Sequence, residues 1–243
     1  MSRSLSDDAR HGEHDGAEPS YVGAYWGARA ESVGTCAERL AGFLSLLGRA
    51  DAALAQWYLK GPSRKAARRP VAASERALVD LLSRGRNHRD VGGELIEELG
   101  FSASMWNGGT PAVVLSATVG AAPQSAGILN HCLLELPAPV DLSGALYADE
   151  VAVDVFRAFV TCWRPSWATW TTNRLRTDQH APPGTPIIGW RTYLAGTVPG
   201  SGSAPGGVST CPVADGTLVT LGDRIEDVSS ERVSDARRWL ALP

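Results

Sequence analysis

The feature that most constrains this fold is a change in the spacing of apolar residues along the chain. Between about residues 31 and 83, apolar side chains recur every three or four positions, which is the period of an amphipathic helix. After about residue 110, most segments are short apolar runs bounded by glycine and proline, which is typical of strands. Because helices cluster early and strands late instead of alternating, we predict an α+β fold. It should be a single domain with a mostly antiparallel sheet packed against several helices.

Individual segments can be assigned from these two patterns. The helical spacing predicts helices at 31–47, 51–59, 74–83, 146–162 and 230–241, with Ser74 at the N-cap position of the third. Strands are predicted at 21–26, 111–120, 128–137, 167–172 and 186–195. A hairpin is predicted at 208–221, where Asp215-Gly216 would supply the positive φ angles of a tight turn. Residues 94–108 fit a helix at their start and a strand at their end, and 196–207 should be a flexible, glycine- and proline-rich excursion.

Composition and charge exclude several classes of protein. The chain has 243 residues, 44% of them apolar and 20% charged, and its formal net charge is −3 with a pI near 6.0. This acidic balance gives no general attraction to nucleic acid or to anionic membranes. The sequence contains neither a run of about 18 apolar residues nor the apolar centre of a signal peptide, so we expect a cytoplasmic protein with no membrane contact.

The first 20 residues differ from the rest of the chain. They are rich in aspartate, glutamate, histidine, glycine and serine and contain few apolar side chains. Such a segment has too little to bury to form a packed structure, so we predict a disordered leader at 1–20 and a domain at 21–243.

The four cysteines do not predict a metal site. Cys36, Cys132, Cys162 and Cys211 lie far apart and form no C-x-x-C pair, whereas zinc sites usually contain two close pairs of ligands. We expect these residues to be small buried hydrophobic side chains in a reducing compartment, and we predict no metal and no cofactor.

A possible catalytic motif occurs in the segment Arg84–Gly93, RGRNHRDVGG, which contains the His-Arg-Asp that opens the catalytic loop of protein kinases. The asparagine expected a few residues later is absent, as are a D-F-G sequence and a lysine on a predicted strand. No nucleophile elbow or P-loop occurs, and His131 and Cys132, adjacent on a predicted strand, would point to opposite faces. We therefore predict that the chain is not an enzyme.

Two basic segments favour a different class of function. Five basic residues and no acidic ones occur in 60–69, and three arginines occur in 84–89. Arginine contacts phosphate, and neighbouring aromatic residues can stack on bases. The alternative prediction is therefore a small nucleic-acid-binding module that uses these segments, although the acidic balance and the absence of a recognised motif weigh against it.

Three stretches occur in an order that resembles a known family. They are YVGAYWGARAESVGTCAERLAGFL near the start, RGRNHRDVGGELIEELGFSASMWNG in the middle and GWRTYL late in the chain. The chain resembles the immunity protein 52 family of bacterial polymorphic toxin systems, and the block GRN-x-RDVGG…LG…WNG is the most specific part. The resemblance runs from about Tyr21 to Leu240 and is weakest in the excursion at 196–207.

The resemblance implies a function without catalysis. Members of this family are small α+β proteins encoded beside a secreted toxin. Their toxin partners commonly carry a nuclease domain of the restriction-endonuclease fold and are often delivered by a type VI secretion system. The chain would then be an immunity protein that binds and neutralises a cognate toxin.

Two groups of residues are candidates for the contact. A nuclease cleft is electropositive, so an inhibitor that blocks it gains by presenting carboxylates. The candidate partner-binding residues are therefore Asp90, Glu94, Glu97, Glu98, Trp106 and Asn107. The three glutamates have helical spacing, which favours a solvated face over a nuclease centre. A structural polar loop is predicted at Arg86, Asn87, Arg89, Gly92 and Gly93, which would either brace the junction between helix and sheet or face the toxin. In the rival mechanism the basic side at 60–69 prevents toxin assembly.

The composition of the leader generates a first prediction. Removal of residues 1–19 should leave the thermal midpoint nearly unchanged, because these residues have almost no apolar surface to bury. Differential scanning calorimetry of the full-length and shortened chains tests this. A midpoint lowered by more than about 5 °C would show that the leader packs on the domain.

Overall fold

A computed structural model describes residues 18–61, 66–122, 130–141, 145–196 and 203–243. The predicted disorder of residues 1–17 and the centre of the predicted excursion at 196–207 lie outside these ranges. The described strands are β1 Ser20–Trp26, β2 Tyr58–Leu59, β3 Phe101–Trp106, β4 Val114–Val119, β5 Asn130–Leu136, β6 Trp167–Thr172, β7 Arg191–Ala195, β8 Val208–Val213 and β9 Gly216–Leu221. The α-helices are α1 Val33–Ala50, α2 Glu75–Arg84, α3 Asp149–Trp163, α4 Asn173–Asp178 and α5 Ser230–Trp239.

The described strands form one antiparallel sheet. Their order is β2-β3-β4-β5-β1-β6-β7-β9-β8, and every neighbouring pair is antiparallel. The predicted α+β class and the predicted antiparallel sheet are therefore confirmed. β1, from the start of the chain, occupies the centre of the sheet between β5 and β6, so the first predicted strand organises elements that come much later in the sequence.

Helices α1 and α3 cover one face of the sheet. Side chains alternate along a strand, so Val22, Ala24 and Trp26 of β1 share a face, and Trp26 stacks on Trp163 of α3 with ring centroids 5.6 Å apart. In α1 the helical spacing buries Cys36, Leu40, Phe43 and Leu47, and the Phe43 ring meets Phe159 of α3 edge-on. The predicted amphipathic faces of both helices thus form the main core.

On the opposite face of the sheet, strands β6, β7 and β9 are covered by other segments of the chain. Thr169, Thr171, Thr192 and Val219 point away from α1 and α3, and all four are fully buried. The segment 186–190 lies on this side, because a Cβ atom on Gly189 would meet the side chains of both Thr169 and Thr171. Helices α4 and α5 pack beside it. No helix of the described residues is long and apolar enough to cross a membrane.

A cluster of charged side chains ties α1 to the end of α3. Arg29 donates to the carbonyl of Trp163 at 2.8 Å, and Arg39 donates to the carbonyl of Cys162 at 2.9 Å. Glu31 accepts hydrogen bonds from both guanidinium groups, at 3.1 and 2.9 Å. The last carbonyls of a helix lack intrahelical partners and carry the negative end of its dipole, so two arginines stabilise them well. This arrangement explains the GARAES sequence that follows β1.

The structure contradicts the helix predicted at 51–59. Only Ala52–Leu54 forms a turn of 3₁₀ helix, and Tyr58 and Leu59 form β2, which pairs with Trp106 and Met105. The amide of Leu59 also donates to the carbonyl of Arg69 at 2.9 Å. These backbone bonds to distant segments outweigh the local helical spacing, because every buried backbone donor and acceptor must find a partner.

The glutamate-rich segment at 94–99 is also less helical than its spacing suggests. Only Glu97–Leu99 forms a 3₁₀ turn, and Gly100, with φ of 64°, ends it before β3 begins. Ser74 occupies the N-cap position of α2 as predicted, but its side chain makes no capping hydrogen bond. β1 begins at Ser20, one residue before the strand predicted at 21–26.

Two further predictions are wrong in detail. In the β8–β9 hairpin the positive φ angle falls on Ala214, at 51°, and not on Gly216. Gly216 is required for space, because a Cβ atom there would lie 2.3 Å from the carbonyl oxygen of Leu194. Only two of the four cysteines are fully buried: Cys162 is partly exposed, and Cys211 is exposed on β8, at the edge of the sheet.

The charged cluster at the end of α3 generates a second prediction. Glu31→Gln should lower the free energy of unfolding by about 1–2 kcal/mol and the thermal midpoint by about 2–8 °C, because two clustered arginines lose their shared carboxylate. The Glu31 side chain is only 10% exposed, so this is not a weak surface ion pair. Glu38→Gln, at an exposed position of α1, is the matched control. Equal midpoints for the two variants would contradict this role of Glu31.

Candidate partner-binding surface

Residues 86–98 form an irregular hairpin between α2 and β3, which we call the polar hairpin. Arg86 pairs with Phe101 and His88 pairs with Leu95 as isolated antiparallel bridges. The amide of Arg89 donates to the carbonyl of Glu94 at 2.8 Å. The segment that resembles a catalytic loop in sequence is therefore a β-like projection.

The base of the polar hairpin joins α2 to the sheet. The amide of Ser102 donates to the carbonyl of Gly85 at 2.9 Å, and a Cβ atom on Gly85 would lie 1.7 Å from the Ser102 carbonyl oxygen. The Arg86 guanidinium lies over the Phe101 ring, 5.1 Å from its centroid. The carbonyl of Asn87 accepts from the amide of Ile96 at 2.9 Å. Arg86 and Asn87 are thus placed where they can brace the junction.

The tip of the polar hairpin projects into solvent. Gly92 and Gly93 have φ angles of 86° and 65°, and a Cβ atom on either would touch nothing, so backbone conformation rather than space favours glycine. His88 donates from Nδ1 to the carbonyl of Gly93 at 3.0 Å. Arg89 and Glu94 approach to 3.8 Å, but both are well exposed and the pair contributes little stability. Val91 at the tip is 89% exposed.

The structure separates the predicted partner-binding residues into two groups. Four of them, Asp90, Glu94, Glu97 and Glu98, are exposed on the polar hairpin. The other two, Trp106 and Asn107, lie at the far end of β3. The length of β3 separates the groups by about 17 Å. The carboxylates therefore form one surface, and Trp106 belongs to another.

Trp106 and Asn107 differ in what their polar atoms do. Asn107 accepts from the amides of Gly109 and Val113 at 3.1 and 2.9 Å and so braces the loop between β3 and β4. Trp106 donates from its indole nitrogen to the carbonyl of Ala67 at 2.7 Å, and its ring remains partly exposed beside Tyr58. Both residues remain partly exposed, but Asn107 also has a structural role in the loop.

Trp106 lies on a part of the sheet that the described helices leave uncovered. We call the side of β3, β4 and β5 that faces away from α1 and α3 the open face. Its side chains are partly or fully exposed, and they include Ser104, Trp106, Val114, Ser116, Leu133 and Glu135. An antiparallel sheet can leave one face in water, but here that face mixes large apolar groups with small hydroxyls.

A groove of 370 Å³ lies where the open face meets α4. Its floor includes Tyr21, Tyr25, Val114, Leu133 and Glu135, and its wall includes Arg176 of α4. The register places Val114, Glu135 and Tyr21 in one row across β4, β5 and β1, with Trp106 next in that row on β3. The candidate residue Trp106 therefore continues the row of side chains that lines the groove.

The floor of the groove is held rigidly. The ring of Tyr25 lies over Gly23, where a Cβ atom would be 2.7 Å from the Tyr25 hydroxyl, and it stacks on Trp167 with centroids 4.1 Å apart. Tyr21, Tyr25 and Arg176 line the groove together. Burial raises the pKa of both tyrosines, so their hydroxyl groups remain protonated in neutral solution.

The sequence indicates which side chains of β1 and β5 face away from the core, but it does not indicate that the two strands are neighbours. Alternation along β5 places His131, Leu133 and Glu135 on the side opposite the core, and β1 places Tyr21 and Tyr25 there. Both segments were predicted as strands. What could not be predicted was that β1 inserts beside β5, and that α4 then forms the wall of a groove above them.

Comparison with known proteins identifies the family. The sequence pattern of the family described as Immunity protein 52 matches residues 18–238, nearly the whole chain. The chain belongs to the immunity protein 52 family. No curated protein matched the sequence. Among solved structures, the Pseudomonas aeruginosa T6SS protein PA0821 has a similar fold, with a TM-score of 0.54 at 12% identity, covering 93% of this chain and 76% of that one.

The described histidine, cysteine and acidic side chains of this immunity protein 52 chain form no metal-binding group. In the described residues no group of three or more histidine, cysteine or acidic side chains could hold a metal ion. Asp90 and His88 are exposed at the hairpin tip. Burial raises the pKa of the Cys36 thiol to about 12 and that of Cys132 well above its ordinary value, so neither forms a thiolate in neutral solution.

The geometry of the hairpin generates a third prediction. The purified immunity protein 52 chain should show no kinase, nuclease or hydrolase turnover, with or without divalent metal, because the groups around His88 and Asp90 form no enclosed site. Radiolabelled ATP and plasmid DNA are suitable substrates. Turnover that Asp90→Ala abolishes in a folded protein would contradict the prediction.

Proposed function

We propose that this chain binds and neutralises a cognate secreted toxin that carries a nuclease domain of the restriction-endonuclease fold. The observation that carries the proposal is the family match over residues 18–238, because immunity proteins act by binding a toxin. The structural neighbour from Pseudomonas aeruginosa is a T6SS protein, which supports delivery of the toxin by a type VI secretion system. The nuclease activity is what the resemblance of the sequence to this family implies. We propose that the chain acts in the cytoplasm.

The polar hairpin has the form that an inhibitor of a nuclease needs. It presents four exposed carboxylates and an exposed apolar residue at its tip, Val91, on a projection anchored at both ends to the domain. A nuclease cleft attracts phosphate by its positive potential, so carboxylates brought to its mouth are attracted in the same way. Because these groups are exposed, their main effect should be on the rate of association and on its dependence on salt.

The alternative function, binding to nucleic acid, has weaker support. Lys60, Arg68 and Arg69 are exposed in the first basic segment. In the second segment Arg86 lies over Phe101 and Arg89 approaches Glu94, so those guanidinium groups have partners within the chain. The rival mechanism of inhibition, in which the basic side blocks toxin assembly, would rest on the same exposed residues.

Charge reversal on the polar hairpin is the fourth prediction. Glu94→Lys, Glu97→Lys and Glu98→Lys together should preserve the fold, because all three side chains are exposed. The triple variant should bind the toxin encoded beside this gene about 10-fold more slowly at low salt, since like charges now meet. Surface plasmon resonance at two salt concentrations measures this, and survival of cells that express the toxin measures protection.

The matched control is Arg68→Glu with Arg69→Glu, which should change association little. If the acidic triple variant protects cells as well as the parent while the basic variant fails to protect them, the toxin contacts the basic side instead. Binding of the parent chain to a DNA duplex, measured by fluorescence anisotropy, would favour the alternative function.

A further inference from the structure

We infer that the groove between β1, β5 and α4 holds an anchoring segment of the toxin, in which an apolar side chain lies between a basic and an acidic one. This inference rests on the proposed function and names the part of the molecule that retains the partner. The groove is built from Tyr21, Tyr25, Val114, Leu133, Glu135 and Arg176.

The apolar part of the groove can bury a side chain of the partner. Val114 and Leu133 are partly exposed neighbours on β4 and β5, and the Tyr25 ring lies beside Leu133 over Gly23. A cavity of 370 Å³ is at the lower end of the range for ligand sites, which suits one or two side chains better than a whole cofactor. An apolar side chain that enters here contacts Val114, Leu133 and the Tyr25 ring.

One acidic and one basic residue of the groove determine which charged residues the partner segment needs on either side of its apolar side chain. Glu135 and Arg176 both line the groove, yet neither forms an ion pair with any described residue. Glu135 is exposed on the floor, and Arg176 is exposed at the wall, where it lines the groove together with Tyr21. A partner segment with one basic and one acidic side chain, spaced to meet them, satisfies both charges, whereas a uniformly basic segment meets repulsion at Arg176.

The groove is preorganised for binding. Tyr25 is fixed by its stack on Trp167, and α4 is fixed because Thr172 caps it, accepting from the amide of Leu175 at 3.2 Å. Side chains that are already ordered lose little conformational entropy when a partner arrives. Tyrosine, tryptophan and arginine are enriched where interfaces bind most strongly, and the row from Trp106 to Arg176 contains all three types.

The groove and the polar hairpin would then have different kinetic roles. Exposed carboxylates act mainly on association, whereas well-packed anchors act mainly on dissociation. The two surfaces lie towards opposite ends of β3, because the groove row meets β3 at Trp106 and the hairpin meets it at Phe101. Variants of the two surfaces should therefore be distinguishable in a single binding experiment.

The test is the dissociation rate of the toxin from variants of the full chain. The probe is a catalytically inactive form of the toxin domain encoded beside this gene, measured by surface plasmon resonance. Glu135→Arg, Arg176→Glu and Leu133→Arg should each raise the dissociation rate about 10-fold or more, with association changed much less. The first two side chains are exposed, so these variants should keep the thermal midpoint of the parent even if Leu133→Arg does not.

The matched controls are Glu38→Arg on α1 and Arg76→Glu on α2, which make the same charge changes at exposed positions outside the groove. If the parent chain does not bind the toxin at all, the proposed function fails and the inference fails with it. If the parent binds and the two charge variants dissociate no faster than the controls, the inference alone is overturned. Sedimentation that shows a parent dimer converted to monomer by Glu135→Arg would also overturn it, because a second copy would then occupy the groove.

Discussion

The architecture of this chain depends on covering a wide sheet with few helices. The described sheet has nine strands, and α1 and α3 cover one face of it. On the other face α4, the segment 186–190 and α5 lie over β6, β7 and β9 only. Among the described residues no α-helix covers the same side of β3, β4 and β5, and the groove forms where the cover by α4 ends. The position of a short helix thus decides where the groove forms.

The charged cluster of Arg29, Glu31 and Arg39 connects this arrangement to the sequence. It holds the end of α3 against α1, and the chain turns from α3 directly into β6 and then α4. A displacement of α3 would therefore move both β6 under Tyr25 and the helix that carries Arg176. The most conspicuous local sequence, His88-Arg89-Asp90, has no such role, because it lies at an exposed turn held by a few backbone hydrogen bonds.

Features that depend on residues close together in the sequence could be predicted, whereas features that depend on contacts between distant segments could not. The α+β class, β6 and the buried face of α1 follow from local spacing, and the structure confirms them. The local spacing assigned Tyr58 and Leu59 to a helix. Their strand partners in β3 are more than 40 residues away along the chain, so local spacing could not predict the pairing. The four carboxylates are close in sequence and lie on one hairpin, but Trp106 is at the other end of β3. The groove forms where β1, β5 and α4 meet, and no local sequence pattern predicts that these elements are neighbours.

The measurement that most directly tests the central claim is hydroxyl-radical footprinting of the chain, free and bound to its toxin, read by mass spectrometry. Binding in the groove predicts that oxidation of Tyr25 and Leu133 falls several-fold in the complex. Cys211, exposed on β8 at the far edge of the sheet, should be oxidised equally in both states. Unchanged oxidation of Tyr25 and Leu133, with protection confined to the helical face or to β8, would contradict the account.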